Sequence, residues 1–153
     1  MSLLIDENSR IVVQGITGRY GRRQVEIMLQ SETNIVAGVS PGKGGEKVND
    51  IPVYHVVSEA VNEHNCDTSI IYVPPYGVKE AAIEAIDHGI KTIMIATEDV
   101  PVFDTMYIRE YAEKHGCWII GPNTAGMINP EQILLGSIAP EFTMKGHVGV
   151  IAQ

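Results

Sequence analysis

The stretch VVQGITGRYGRRQVEIML, residues 12–29, runs from an apolar segment through three glycines into a segment with helical spacing. Gly15, Gly18 and Gly21 form a G-x-x-G-x-x-G turn, a relative of the dinucleotide fingerprint. Glycines at a strand-to-helix junction permit a tight turn and let backbone approach a phosphate closely. The first turn of a helix leaves its N–H groups without intrahelical partners, so the amides of Thr17 to Gly21 are expected to face an anion. Packing alone would ask for the same glycines, and the motif does not choose between the two. Arg19, Arg22 and Arg23 follow at once. A cation in a helix's first turn is unfavourable by about 0.3–1 kcal/mol, so this trio reads either as company for an anion or acidic partner, or as solvated side chains.

Working outward, β-branched runs recur at residues 10–16, 34–40, 68–74, 91–97, 117–121 and 147–153. Their continuous apolarity is that of strands buried on both faces, as in a parallel sheet. Helical patterns lie between them at residues 20–30, 56–63, 77–88 and 102–115. Strands alternating with helices of this length predict right-handed βαβ units, and hence an α/β fold: a doubly wound, mainly parallel sheet with helices on both faces. No linker or low-complexity run interrupts the pattern, so residues 1–153 read as one domain.

The 19 Asp and Glu outnumber the 11 Lys and Arg, giving a net charge of -8. Such a chain repels nucleic acid and anionic membrane surfaces, so neither is an expected partner and any anion site must be local. No stretch approaches the length of an apolar membrane span, and the N-terminus MSLLIDENSR lacks a basic region followed by a long apolar one. A cytoplasmic location is therefore expected, or the mitochondrial matrix for a processed chain. Cys66 and Cys117 each sit beside an apolar run, as reduced buried thiols do. His88-Gly89 and His115-Gly116 close two helical patterns, the arrangement that a C-terminal dipole and a left-handed cap favour. His55, His64 and His147 show no metal-ligand spacing and no Ser/His/Asp order stands out, so no metal site and no catalytic residue is assigned.

Ligands of an open parallel sheet bind beyond the carboxyl ends of its strands, which directs attention to the loops there. After the second run, a NAD-binding unit presents Asp or Glu to the ribose; here GVSPGKGGEKVND, residues 38–50, offers Ser40, Pro41 and Lys43. Lys43, flanked by Gly42, Gly44 and Gly45, suits a nucleotide with an extra ribose phosphate, NADP or coenzyme A, with a solvated lysine as the plain alternative. After the third run, Tyr72, Val73 and Pro74 make either an apolar wall for an adenine or alkyl chain, or merely a stiff exit from the sheet. After the fourth come Thr97, Glu98 and Asp99. The Glu98 carboxylate would repel a phosphate and should meet a neutral hydroxyl or amide, unless it serves as helix N-terminal charge ahead of Pro101. GPNTAG, residues 121–126, reads as a turn in which Asn123 can bond its own backbone.

Taken together, GITGRYG, GVSPGKGG, IYVPPY, EAIDHGIKTIMIATEDVP and GPNTAGMINP, in this order and at these spacings, resemble the N-terminal CoA-binding domain of the succinate–CoA ligase α subunit. The similarity runs from Ser2 to Ile151, and SPGKGG and GPN-x-x-G-x-I-x-P are its more specific segments. The resemblance implies a Rossmann-like domain that binds coenzyme A. Thr17, Gly18, Arg19, Tyr20, Lys43, Ala96, Thr97 and Glu98 fall at the family's CoA-contacting positions, and Tyr72 and Pro74 at positions lining the same cleft. Ser40 joins them from the reading of its own loop.

The chain departs from the family at Tyr20, where Gln is usual, at Arg23-Gln24, where Phe-His is usual, and at Thr124, where Cys is frequent. Family α subunits continue through a Ser-Arg-Ser-Gly turn into a domain carrying a histidine that becomes phosphorylated. The expectation is therefore an N-terminal fragment of a longer protein that binds without turnover, its partners being a ligase β subunit or that C-terminal domain. An NADP-binding oxidoreductase domain and a non-catalytic CoA-sensing protein are the alternatives.

Overall fold

The computed structural model describes residues 4–151. In chain order its elements are β1 (Ile11–Gln14), α1 (Arg19–Gln30), β2 (Ile35–Val39), β3 (Lys47–Val48), β4 (Ile51–Tyr54), α2 (Val57–His64), β5 (Thr68–Ile71), α3 (Val78–Asp87), β6 (Thr92–Ile95), α4 (Val102–Lys114), β7 (Trp118–Ile120), β8 (Gly126–Asn129) and β9 (Ile133–Gly136). Seven strands make one sheet in the order β3-β4-β2-β1-β5-β6-β7, parallel except where β3 meets β4. This is the expected Rossmann-like α/β arrangement. Every residue of β1, β5 and β6 is buried, because each strand has a neighbour on both sides and a layer above and below.

The two faces are covered differently. On one, α2, α3 and α4 close over Val12, Ile71, Ile93 and Ile95 with Val57, Ala60, Ala82, Ala85, Ile108 and Ala112. The small alanines let helix backbones come close to the sheet. The other face takes α1, whose Gly21, Gln24, Val25 and Met28 recur at helical spacing on its buried side. Burying a side chain such as Val25 or Met28 contributes roughly 1.5–3 kcal/mol. The hairpin β8–β9 adds Ile133, Leu134 and Leu135 to this layer. Thr33, just past α1, fastens it: Oγ1 donates to Leu134 O at 2.7 Å and accepts Leu134 N–H at 3.3 Å.

The strand expected at 147–153 is not formed: residues 147–151 carry no strand, and 152 and 153 lie outside the described residues. Apolar alternation makes a strand only where a sheet edge accepts it, and Val148, Val150 and Ile151 stay exposed instead. Conversely, two hairpins went unanticipated. Asn49 and Asp50, at φ 49° and 65°, turn β3 into β4, the left-handed pair that a tight hairpin needs. In the other, β8 and β9 pair antiparallel, with Met127 opposite Leu135 and Ile128 opposite Leu134.

His88 and His115 end α3 and α4 as expected, followed by Gly89 and Gly116 at φ +85° and +65°. Each Nδ1 lies 2.8 Å from a carbonyl one turn back, of Glu84 and Tyr111, which requires that nitrogen to donate. Cys66 and Cys117 are free and share one core cluster, and burial pushes both thiols up to about 11, suiting them to packing. Among the described residues no group of His, Cys, Asp and Glu is arranged to hold a metal ion, and no helix is long and apolar enough to cross a membrane.

Candidate functional site

From β1 the chain moves through α1 to β2 on one side; β5 pairs on the other side of β1 after α2 has crossed the opposite face. A crevice opens where the strand order reverses in this way. The loops after β1, β2, β5 and β6 therefore converge on one edge, bringing together Thr17 to Tyr20, Ser40 to Lys43, Tyr72 to Pro74, and Ala96 to Glu98. Backbone bonds hold them in register: Gly15 N–H to Val39 O at 2.8 Å, Tyr72 N–H to Gln14 O at 2.9 Å, and Ala96 N–H to Ile71 O at 3.2 Å.

The glycines of the first loop turn out to serve packing as well. At Gly15, with φ +83°, a Cβ would sit 3.0 Å from Tyr72 C and 3.1 Å from Val73 N, so two loops touch backbone to backbone. At Gly21 a Cβ would lie 2.4 Å from Gly15 O, so α1 starts directly on the turn. Gly18 is the N-cap and supplies no side-chain hydrogen bond. Of the amides expected to face an anion, two are already occupied: Thr17 N–H donates to Ser40 Oγ at 3.3 Å and Gly18 N–H to Gly15 O at 3.1 Å. The helical ladder begins with Arg22 N–H on Gly18 O. Arg19, Tyr20 and Gly21 therefore present the open donors.

Arg19, Arg22 and Arg23 are exposed, and no ion pair among the described residues includes them. Arg22 Nε folds back onto Thr17 O at 3.0 Å. The first turn of α1 also has no acidic residue. In an acidic chain, an uncapped helix start carrying unpaired guanidinium groups is a local positive patch.

Ser40 is buried and its Oγ also accepts Thr17 Oγ1–H at 2.9 Å, which ties the β2 loop to the glycine turn. Lys43 projects from successive turns, with its N–H on Ser40 O at 3.0 Å. On the other side of the crevice, the Tyr72 and Tyr20 rings meet edge to face at 5.4 Å. The Tyr72 hydroxyl is buried with no partner, and burial, then the nearby Tyr20, pushes its ionisation far above the ordinary phenol range. Tyr72 thus offers ring rather than hydroxyl. Pro74 is exposed and opens a short turn over Pro75–Gly77. Thr97 Oγ1 donates to Val73 O at 2.7 Å, joining the β5 and β6 loops, while Glu98 stays exposed beside it.

One supporting residue escaped sequence reasoning, and another acts differently from its expectation. Gln14, at the end of the apolar β1, is buried, and its Nε2 donates to Ser69 Oγ and Ala81 O, each at 3.0 Å. Its signal was a lone amide interrupting an apolar run. Asn123, at φ +55°, donates its N–H to Thr97 O at 3.0 Å; the side-chain bond expected from it to its own backbone is not formed, and the neighbouring Thr124 Oγ1 instead accepts Gly126 N–H at 3.1 Å.

The sequence matches the CoA binding domain family over residues 6–99. The chain belongs to that family. Coenzyme A is thus the ligand class of this CoA-binding domain, which decides between the two nucleotides that Lys43 left open. The resemblance to succinate–CoA ligase α subunits holds along the whole chain. Subunit alpha 1 of the ADP-forming succinate–CoA ligase of Archaeoglobus fulgidus is 42% identical, covering 100% of this chain and 53% of that protein. SauD, a subunit of the ADP-forming sulfoacetate-CoA ligase of Bilophila wadsworthia, is 39% identical with the same coverage, 100% and 53%. The chain therefore spans about half the length of the curated relatives it matches. Among solved structures, ATP citrate lyase of Methanothrix soehngenii in complex with citrate and coenzyme A aligns with a TM-score of 0.75 at 20% identity, over 88% of this chain and 24% of that one. At that identity the likeness speaks for the fold.

Proposed function

We propose that this CoA-binding domain holds coenzyme A at the carboxyl edge of its sheet, as the N-terminal domain of an ADP- or GDP-forming acid–CoA ligase of the succinate–CoA ligase α type. The carrying observation is that the uncapped start of α1 and the Lys43 turn are bonded to each other through Thr17 and Ser40. The amides of Arg19, Tyr20 and Gly21 take the pyrophosphate, with Gly18 leaving them uncovered and Arg19 adding charge. Lys43 takes the ribose 3′-phosphate. Tyr72 and Pro74 form the wall against the uncharged parts of the ligand, and Ala96, Thr97 and Glu98 complete it, the carboxylate accepting from a hydroxyl or amide. A ligase β subunit and a domain with a phosphorylatable histidine supply the rest of the reaction, and residues 1–153 act as the binding unit. Co-purification with a ligase β subunit checks the assembly.

Calorimetry with coenzyme A and dephospho-CoA tests the binding site. Replacing Lys43 by Met should weaken coenzyme A by about 1.5–3 kcal/mol, roughly one to two decades, while leaving dephospho-CoA as in the wild type. Equal wild-type affinities for the two ligands would remove Lys43 from the site.

A further inference from the structure

Lys43 does not stand alone. Its Nζ lies 3.3 Å from Glu46 Oε1, and the two residues are the first and last of one turn, closed by Glu46 N–H on Lys43 O at 3.2 Å. The carboxylate's backbone is pinned from behind: Glu46 O accepts Val53 N–H at 3.0 Å, and Gly45 N–H donates to Val53 O at 2.9 Å. Val53 belongs to β4, so Glu46 is anchored to the sheet while the ammonium sits at the end of a flexible stem, 56% exposed. A phosphate arriving at Lys43 meets an anion already in place. It must break the pair or lie beside a like charge, and both lower its affinity. A ligand without that phosphate incurs neither penalty.

We infer that Glu46 is a built-in competitor for Lys43, which moderates how strongly the domain prefers a 3′-phosphorylated ligand over its dephosphorylated form. This rests on the coenzyme A reading above. The test is calorimetry of wild type, E46Q, K43M and the double variant with coenzyme A and dephospho-CoA. E46Q should tighten coenzyme A about two- to five-fold, the range of an exposed ion pair, and leave dephospho-CoA unchanged. The gain should shrink with added salt and vanish in the K43M background. Equal tightening of both ligands, or none of either, would overturn the competitor while leaving coenzyme A binding intact. No coenzyme A binding by the wild type would overturn both readings.

Discussion

Where β1 turns into α1, a Cβ on Gly15 would press on the backbone of Tyr72 and Val73, and one on Gly21 in the first turn of the helix would lie 2.4 Å from Gly15 O; in the loop after β2, a Cβ on Gly42 or Gly45 would meet nothing within 4 Å. Gly44 is intermediate, since the atoms nearest to a Cβ there belong to the exposed His55 ring, a side chain rather than backbone. Both loops are glycine-rich and both contain left-handed glycines, with φ +83° at Gly15, +80° at Gly42 and +89° at Gly45, yet the first also needs glycine for lack of room, whereas Gly42 and Gly45 need it for backbone conformation alone. The first is a rigid cradle of amides wedged between a helix and a strand. The second is a set of turns carrying one long side chain. Rigid donors suit the invariant diphosphate of a ligand, whereas a mobile ammonium suits a peripheral phosphate.

Substitutions can break this contrast. The largest effect is expected for Gly21→Ala, on the order of 3 kcal/mol in urea unfolding, because the clash is with backbone that cannot step aside. Gly45→Ala should cost about 1–2 kcal/mol, conformational strain alone. If the two variants unfold alike, the distinction between crowded and open glycines is void. Ser40→Ala, which removes the acceptor for Thr17 N–H and O–H, should cost about 1 kcal/mol in the same melts. It should also loosen coenzyme A in calorimetry, since the two loops then lose their side-chain tie. Unchanged affinity in that variant would mean that the loops are registered by backbone bonds alone.

Much of the fold could be read from local pattern, because β1, β5 and β6 lie in mainly apolar, β-branched runs and each is followed by a helix. The misreadings share a cause. Residues 147–151 look like a strand but find no edge, and β3–β4 look like loop but find β2, so pairing partners rather than composition decided both. The candidate site was legible as a set of loops because topology fixes which loops share an edge. Side-chain partnerships were not: no periodicity indicates that Ser40 Oγ would take up Thr17 N–H, or that Glu46 would reach Lys43. Those depend on distances set by turns whose left-handed residues, Gly42 and Gly45 among them, are only partly specified by sequence.

Gln14 carries one more consequence. Its amide bridges the central strand to Ser69 of β5 and to Ala81 of α3, directly beneath the turn that begins at Gly15. Floor, neighbouring strand and overlying helix are thereby riveted into a single slab. Ligand-driven adjustment must then be confined to the rim, and signals of occupancy would leave the domain through its loops rather than through a sliding core.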